Sequence, residues 1–260
     1  MSNKFWKSFS NVLHVLFEEI DTQQKVFIEA YTNSDDVELV NLLIEYMEID
    51  ISADNNSKML WTSGDNSAIR TASENGHIAV VDRLLQDNRV DPSANNNSAI
   101  HYASEYGHLA VVDRLLQEDR SKNRVDPSAN NNSAIRMASY NGHIAVVERL
   151  LQDSRVNPSV IDNVAIRWAS MYGHIAVVDR LLQDRRADPS TDNNYAIRYA
   201  SYNGHIDVVE RLLQDSRVDP SANNNEAIRF ASYMGHIAVV DRLKQEDKSR
   251  VKKLDTQTQP

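Results

Sequence analysis

The amino-acid sequence predicts an all-α solenoid of stacked helix–turn–helix units with N- and C-terminal caps. Three observations predict it. Gly-His recurs at Gly76-His77, Gly107-His108, Gly142-His143, Gly173-His174, Gly204-His205 and Gly235-His236, in steps of 31, 35, 31, 31 and 31 residues. Five prolines (Pro92, Pro127, Pro158, Pro189 and Pro220) keep the same step. After each Gly-His the apolar residues follow helical spacing instead of alternating. A fixed period of this length marks a stack of like units, each too small to bury its own apolar face.

Residues 188–218 serve as the type unit. Asp188-Pro189 and the following Ser, Thr, Asp and Asn residues predict a turn, because Pro fixes φ and Asn tolerates left-handed φ. Ala196 to Asn203 reads as a short helix, closed by Gly204 in a left-handed C-cap. From Ile206 to Gln214 a second helix gathers Ile206, Val208, Val209, Leu212 and Leu213 on one face. Glu210, Arg211 and Asp215 fall on the other side, where solvent is expected. Ala72, Ala103, Ala138, Ala169, Ala200 and Ala231, each followed by serine, suit close packing of the first helices.

The unit Ala-Ile-Arg-x-Ala-Ser-x-x-Gly-His-Ile-x-Val-Val-x-x-Leu-Leu resembles the ankyrin repeat. The family's Thr-Pro-Leu-His-x-Ala-Ala-x-x-Gly-His stands here as Ser98-Ala-Ile-His101-Tyr-Ala-Ser-Glu-Tyr-Gly107-His108. Arg replaces the family's first His in five of six copies, Ala replaces its Pro, and the connection between units is two residues short. The 31-residue step with Arg-Val-Asp-Pro-Ser resembles a short-period subtype of giant DNA viruses and amoebae. The resemblance covers residues 21–247. It implies a non-enzymatic protein-interaction scaffold, although fold alone does not fix activity.

The ends depart from the repeat. Phe5, Phe9, Val12, Leu13, Leu16 and Ile20 predict a capping helix within residues 1–20. Residues 21–49 read as a divergent first repeat with Asp35-Asp36 in place of Gly-His, and residues 50–247 as six repeats. Lys244 replaces a leucine in the last unit, as a solvated cap requires. The polar tail 248–260 is expected to be disordered. Insertions lie at 57–66 and 118–123.

Composition excludes several functions. There is no cysteine, hence no disulfide or thiolate site. A net charge of −9 disfavours nonspecific binding to nucleic acid or anionic membranes. No apolar run approaches the roughly 20 residues that span a bilayer, and the N-terminus makes a poor secretory signal. A cytosolic monomer is expected, in the host cytosol if the source is viral. Arg250-Val-Lys-Lys253 is a short basic run that offers only a weak case for nuclear entry. No cofactor, metal site or catalytic residue is expected. The repeated histidines would stand about 10 Å apart in a stack, too far to converge on one ion.

Two positions before each Gly-His vary: Glu74-Asn75, Glu105-Tyr106, Tyr140-Asn141, Met171-Tyr172, Tyr202-Asn203 and Tyr233-Met234. By the ankyrin resemblance they line the concave groove, and tyrosine is a frequent interface anchor. Tyr106, Tyr140, Met171, Tyr172, Tyr195, Tyr202, Tyr233 and Met234 are therefore the expected partner-binding residues. Before Ala-Ile, Ser67, Ser98 and Ser133 suit an N-cap, while Val164 and Tyr195 are expected to extend the binding surface. Tyr102, Met137, Trp168, Tyr199 and Phe230 match a slot buried between repeats, so Trp168 is expected in the core. The ladder Arg70, Arg136, Arg167, Arg198 and Arg229 has two readings. One is phosphate, phosphoinositide or nucleic-acid binding. The other, favoured here, is that each guanidinium satisfies turn carbonyls or a neighbouring acid such as Asp126, Asp188 or Asp219.

Overall fold

The computed structural model describes residues 66–88, 90–117 and 124–257, the last eight without side chains. The expected capping helix, the divergent first repeat, the insertion 57–66 up to its last residue, Asn66, and the insertion 118–123 lie outside the described residues. Within them every regular element is helical. Each repeat contributes a first helix: α1 (Ser67–Glu74), α3 (Ala94–Glu105), α5 (Ala129–Tyr140), α7 (Val160–Met171), α9 (Thr191–Tyr202) and α11 (Ala222–Met234). Each also contributes a second: α2 (Ile78–Leu85), α4 (Leu109–Leu116), α6 (Ile144–Leu151), α8 (Ile175–Gln183), α10 (Ile206–Leu213) and α12 (Ile237–Gln257).

The two kinds of helix form two layers. First helices pack on first helices and second on second, more extensively in the first layer, so that layer lines the inner side of the stack. The core lies between layers and repeats. Ile100, Ile135, Ile166 and Ile197 of the first helices meet Val–Val and Leu side chains of the second, all essentially inaccessible to water. The alanines at the close approach, Ala103, Ala138, Ala169 and Ala200, are equally buried. The last helix departs from expectation, because α12 continues as helix to Gln257 through much of the segment expected to be disordered.

The Asn-rich turn also differs from the sequence reading. It is one turn of left-handed helix, three residues long, running directly into the right-handed first helix. Asn95, Asn96 and Asn97 have φ of 54°, 57° and 62°, and the same triplet recurs in the next four repeats. Left-handed φ is costly for most L-residues, and Asn and Asp tolerate it best. That explains why Asn and Asp fill fourteen of these fifteen positions, with Ile161 (φ 51°) the exception. Asn66 and the third Asn of the first four triplets tie the stack together. Asn66, Asn97, Asn132, Asn163 and Asn194 accept, through Oδ1, the backbone N–H of Asp91, Asp126, Asn157, Asp188 and Asp219 in the following repeat, at 2.6–2.7 Å.

Candidate partner-binding surface

The backbone beneath the variable positions is fixed by the Gly-His motif. Each Gly takes positive φ, from 75° to 80°. Each following His N–H closes a six-residue C-cap, as from His108 to the Ala103 carbonyl at 2.8 Å. The imidazole then reaches back one repeat. Nε2 of His108, His143, His174, His205 and His236 donates to the carbonyls of Glu74, Glu105, Tyr140, Met171 and Tyr202, at 2.8–3.0 Å. Those carbonyls belong to the first of the two variable residues. The constant motif of one repeat thus clamps the variable position of the repeat before it.

The second variable position divides by residue type. Where it is Asn, the amide caps main-chain carbonyls: Asn141 Nδ2 donates to Glu105 and Met137, and Asn203 Nδ2 to Met171 and Tyr199. Where it is Tyr or Met, the side chain caps no main-chain carbonyl and stays largely exposed. Tyr106, Tyr172 and Met234 are 49%, 41% and 42% exposed, and Tyr233 is 83% exposed. Tyr140, Met171, Tyr195 and Tyr202 are half-buried. Exposure on this scale makes Tyr106, Tyr172, Tyr233 and Met234 the outermost apolar groups of the inner face.

The half-buried residues form two ring clusters. Tyr140 meets Trp168 and Tyr172 edge-on, at centroid distances of 5.4 and 4.5 Å. The hydrogen bond that the Tyr172 hydroxyl makes to Tyr140 raises the Tyr172 phenol above its ordinary pKa. The second cluster stacks Tyr195 on Tyr199 at 4.0 Å and sets Phe230 edge-on to Tyr199 and Tyr202. The Tyr195 hydroxyl donates to the Met171 sulfur at 3.4 Å, linking the clusters. Trp168, Tyr199 and Phe230, expected in the core, are instead half-buried beneath the tyrosines. Their signal was aromaticity at one slot, four residues before the exposed position and thus on the same helical face. Val164 shows the opposite error, since it is buried and adds nothing to the surface. Ser98 does not cap its helix either. The Ser98 hydroxyl points instead to the Ala94 carbonyl at 3.5 Å.

The first-helix arginines satisfy the left-handed turns. Left-handed Asn66 passes its carbonyl to the Arg70 N–H of the helix that follows, at 3.3 Å, whereas in the later turns the guanidinium five or six residues on takes carbonyls of the first two residues. Arg136 donates to Asn131 and Asn130, Arg167 to Asp162, Arg198 to Asp192, and Arg229 to Asn224. The acids they meet are Asp192 for Arg167, at 3.0 Å, and Glu226 for Arg198. Asp126, Asp188 and Asp219 instead accept from the Ser two residues on. Arg167 also lies over the Tyr195 ring at 4.5 Å.

Second-helix charges expected to be merely solvated pair across repeats. Arg114 bonds Asp82 at 2.6 Å, and Arg149 and Arg211 bond Asp113 and Asp179 in the same way. Arg155, Arg186 and Arg217 each clasp the aspartate two residues earlier, and each also donates to a carbonyl of the previous repeat. These bonds hold Asp153, Asp184 and Asp215 below the usual carboxylate pKa.

Among the described residues no group of His, Asp and Glu could hold a metal ion, and no helix is long and apolar enough to cross a membrane. No curated protein matches the chain. The family comparison matches ankyrin repeats in three copies, over residues 26–126, 69–162 and 165–255. Ankyrin repeats generally mediate protein–protein interactions on a scaffold that is typically non-catalytic. The match spans most of the sequence and agrees with the two-layer stack, so the chain belongs to the ankyrin-repeat family.

Proposed function

We propose that this chain is a protein-interaction scaffold that binds its protein partner along the inner face of the stack. Tyr106, Tyr140, Met171, Tyr172, Tyr195, Tyr202, Tyr233 and Met234 carry the contact. The observation that supports this most is the aromatic strip. Aromatic rings and methionines gather on one face, at positions where the repeats differ, over backbone that the Gly-His clamp holds still. Rigid aromatic groups contribute large contact area at small entropic cost, which suits them to anchor a partner. Binding of nucleic acid or phosphoinositide through the arginines has no comparable support. Four of the five guanidinia make the turn-carbonyl bonds described above, and the chain is acidic overall. We further read the chain as a cytosolic, non-enzymatic monomer. The 31-residue step supports kinship with the short-period repeats of giant DNA viruses and amoebae.

The test is quantitative capture of binding proteins by wild type and by a Tyr140→Ala/Tyr172→Ala/Tyr202→Ala variant. The proposal expects specific partners to disappear while circular dichroism stays unchanged. Retention of every partner by the folded variant rules the inner face out. Loss of binding that follows the salt dependence of a polyelectrolyte would point to nucleic acid instead.

A further inference from the structure

Each repeat junction inside the stack is filled in the same way. The imidazole of the following repeat covers each Gly from Gly76 to Gly204. The isoleucine of each first helix from α1 to α9 is at most 2% exposed. Where the following repeat offers an acid, the adjacent arginine takes it, as Arg167 does with Asp192 and Arg198 with Glu226.

The surface after α11 has the same parts without the cover, because α12 runs on as helix where earlier repeats turn at Asp-Pro or Asn-Pro. Ile228 is only partly buried, and Ser232 is exposed where its counterparts are fully buried. Among the described residues nothing lies within 4 Å of where a side chain on Gly235 would start. Arg229 makes one long contact, 3.5 Å to the Asn224 carbonyl. Glu226, whose carboxylate feels the Arg229 charge, is already held by Arg198 and Asn223. Together Tyr202, Ile228, Arg229, Phe230, Ser232 and Tyr233 line a recess of about 700 Å³.

We infer that this recess docks a helix of a partner polypeptide that presents a carboxylate followed two positions on by an aliphatic residue. The model for that ligand is in the chain. Glu226-Ala227-Ile228 opens the helix that covers α9 and its Arg198, and the recess offers the next such helix the same cation and apolar floor. The carboxylate pairs with Arg229, and the aliphatic group covers Ile228 against Phe230. The surface continues an interface already used five times, and its charge complements an acidic helix start. This inference rests on the reading of the inner face as the partner site, and names the partner's chemistry at its C-terminal end.

The test is fluorescence anisotropy of the full-length chain with a labelled peptide of residues 219–236. Saturable binding is expected, weakened about tenfold by Arg229→Ala in the chain and equally by Glu226→Gln in the peptide, as for loss of one charge-assisted hydrogen bond. Tyr140→Ala/Tyr172→Ala should leave peptide binding intact even where it abolishes partner capture, so the two readings fail separately. Absence of saturable binding, or binding indifferent to both charge changes, overturns the inference. So does dimerisation of the chain that Arg229→Ala abolishes while the peptide fails to bind, since that assigns the recess to a second copy. Circular dichroism of Arg229→Ala must match wild type, as its exposed position leads us to expect.

Discussion

The imidazole of His174 lies directly over Gly142 of the preceding repeat. A Cβ on Gly142 would stand 2.5 Å from His174 Nδ1, and Nε2 of the same ring donates to the Tyr140 carbonyl at 2.8 Å. The glycine is thus fixed twice, by its φ of 79° and by the ring above it. Gly142→Ala should cost at least about 2 kcal/mol, from left-handed strain plus displacement of the ring. His174→Ala should cost about 1–3 kcal/mol by leaving the carbonyl without its donor. In urea unfolding, the double variant should fall short of the sum by about 1 kcal/mol, because removing the ring makes room for the methyl. Full additivity would deny the clamp.

Ile161 is the one β-branched residue among the left-handed turns, and it is 49% exposed, so burial returns little for its strain. Ile161→Asn, which restores the residue type of the other copies, should stabilise the chain by about 1 kcal/mol. An unchanged or lower midpoint in thermal unfolding would mean that Ile161 makes a stabilising contact.

Ser73, Ser104, Ser139, Ser170 and Ser201 are fully buried, and their hydroxyls have no hydrogen-bond partner among the described residues. A buried hydroxyl without a partner is costly, and Ala is the better helix former. Ser139→Ala should therefore raise stability by about 1 kcal/mol, measured as a shift in urea midpoint at constant m-value. A loss of stability would show that the hydroxyl is satisfied in solution.

Acid should loosen the turns. The bonds from Arg155, Arg186 and Arg217 depress the folded-state pKa of Asp153, Asp184 and Asp215. A depressed carboxylate contributes stability above its unfolded pKa of about 3.9 and loses it as pH falls through the folded value. The melting temperature should therefore decline below about pH 4 from this cause. Asp184→Asn should lower it at neutral pH and flatten that acid limb, and an unaltered limb would remove Asp184 from the account.

Much of the fold was legible because the period, the Gly-His C-cap and the Val-Val-x-x-Leu-Leu face each report a local backbone state or a buried side. The left-handed turn was not, since Asn clusters say only that positive φ is tolerated, and three such residues in succession are rare. The inner-face tyrosines were found as the residues that break the repeat. Trp168, Tyr199 and Phe230 were misplaced because a constant aromatic slot reads the same whether it is buried or layered under other rings. Cross-repeat partners such as Arg114 and Asp82 stand 32 residues apart, and only the stacking register reveals them.

On the proposed function the inner face meets the partner and the back of the stack does not. A photoreactive phenylalanine analogue at Tyr172, exposed on the inner face, can be compared with the same group at Gln183, exposed on α8 of the outer layer. Irradiation with the partner-containing extract should yield a discrete cross-linked species from position 172 and none from 183. The same species from 183 alone, or equally from both, would rule out the inner face as the partner surface.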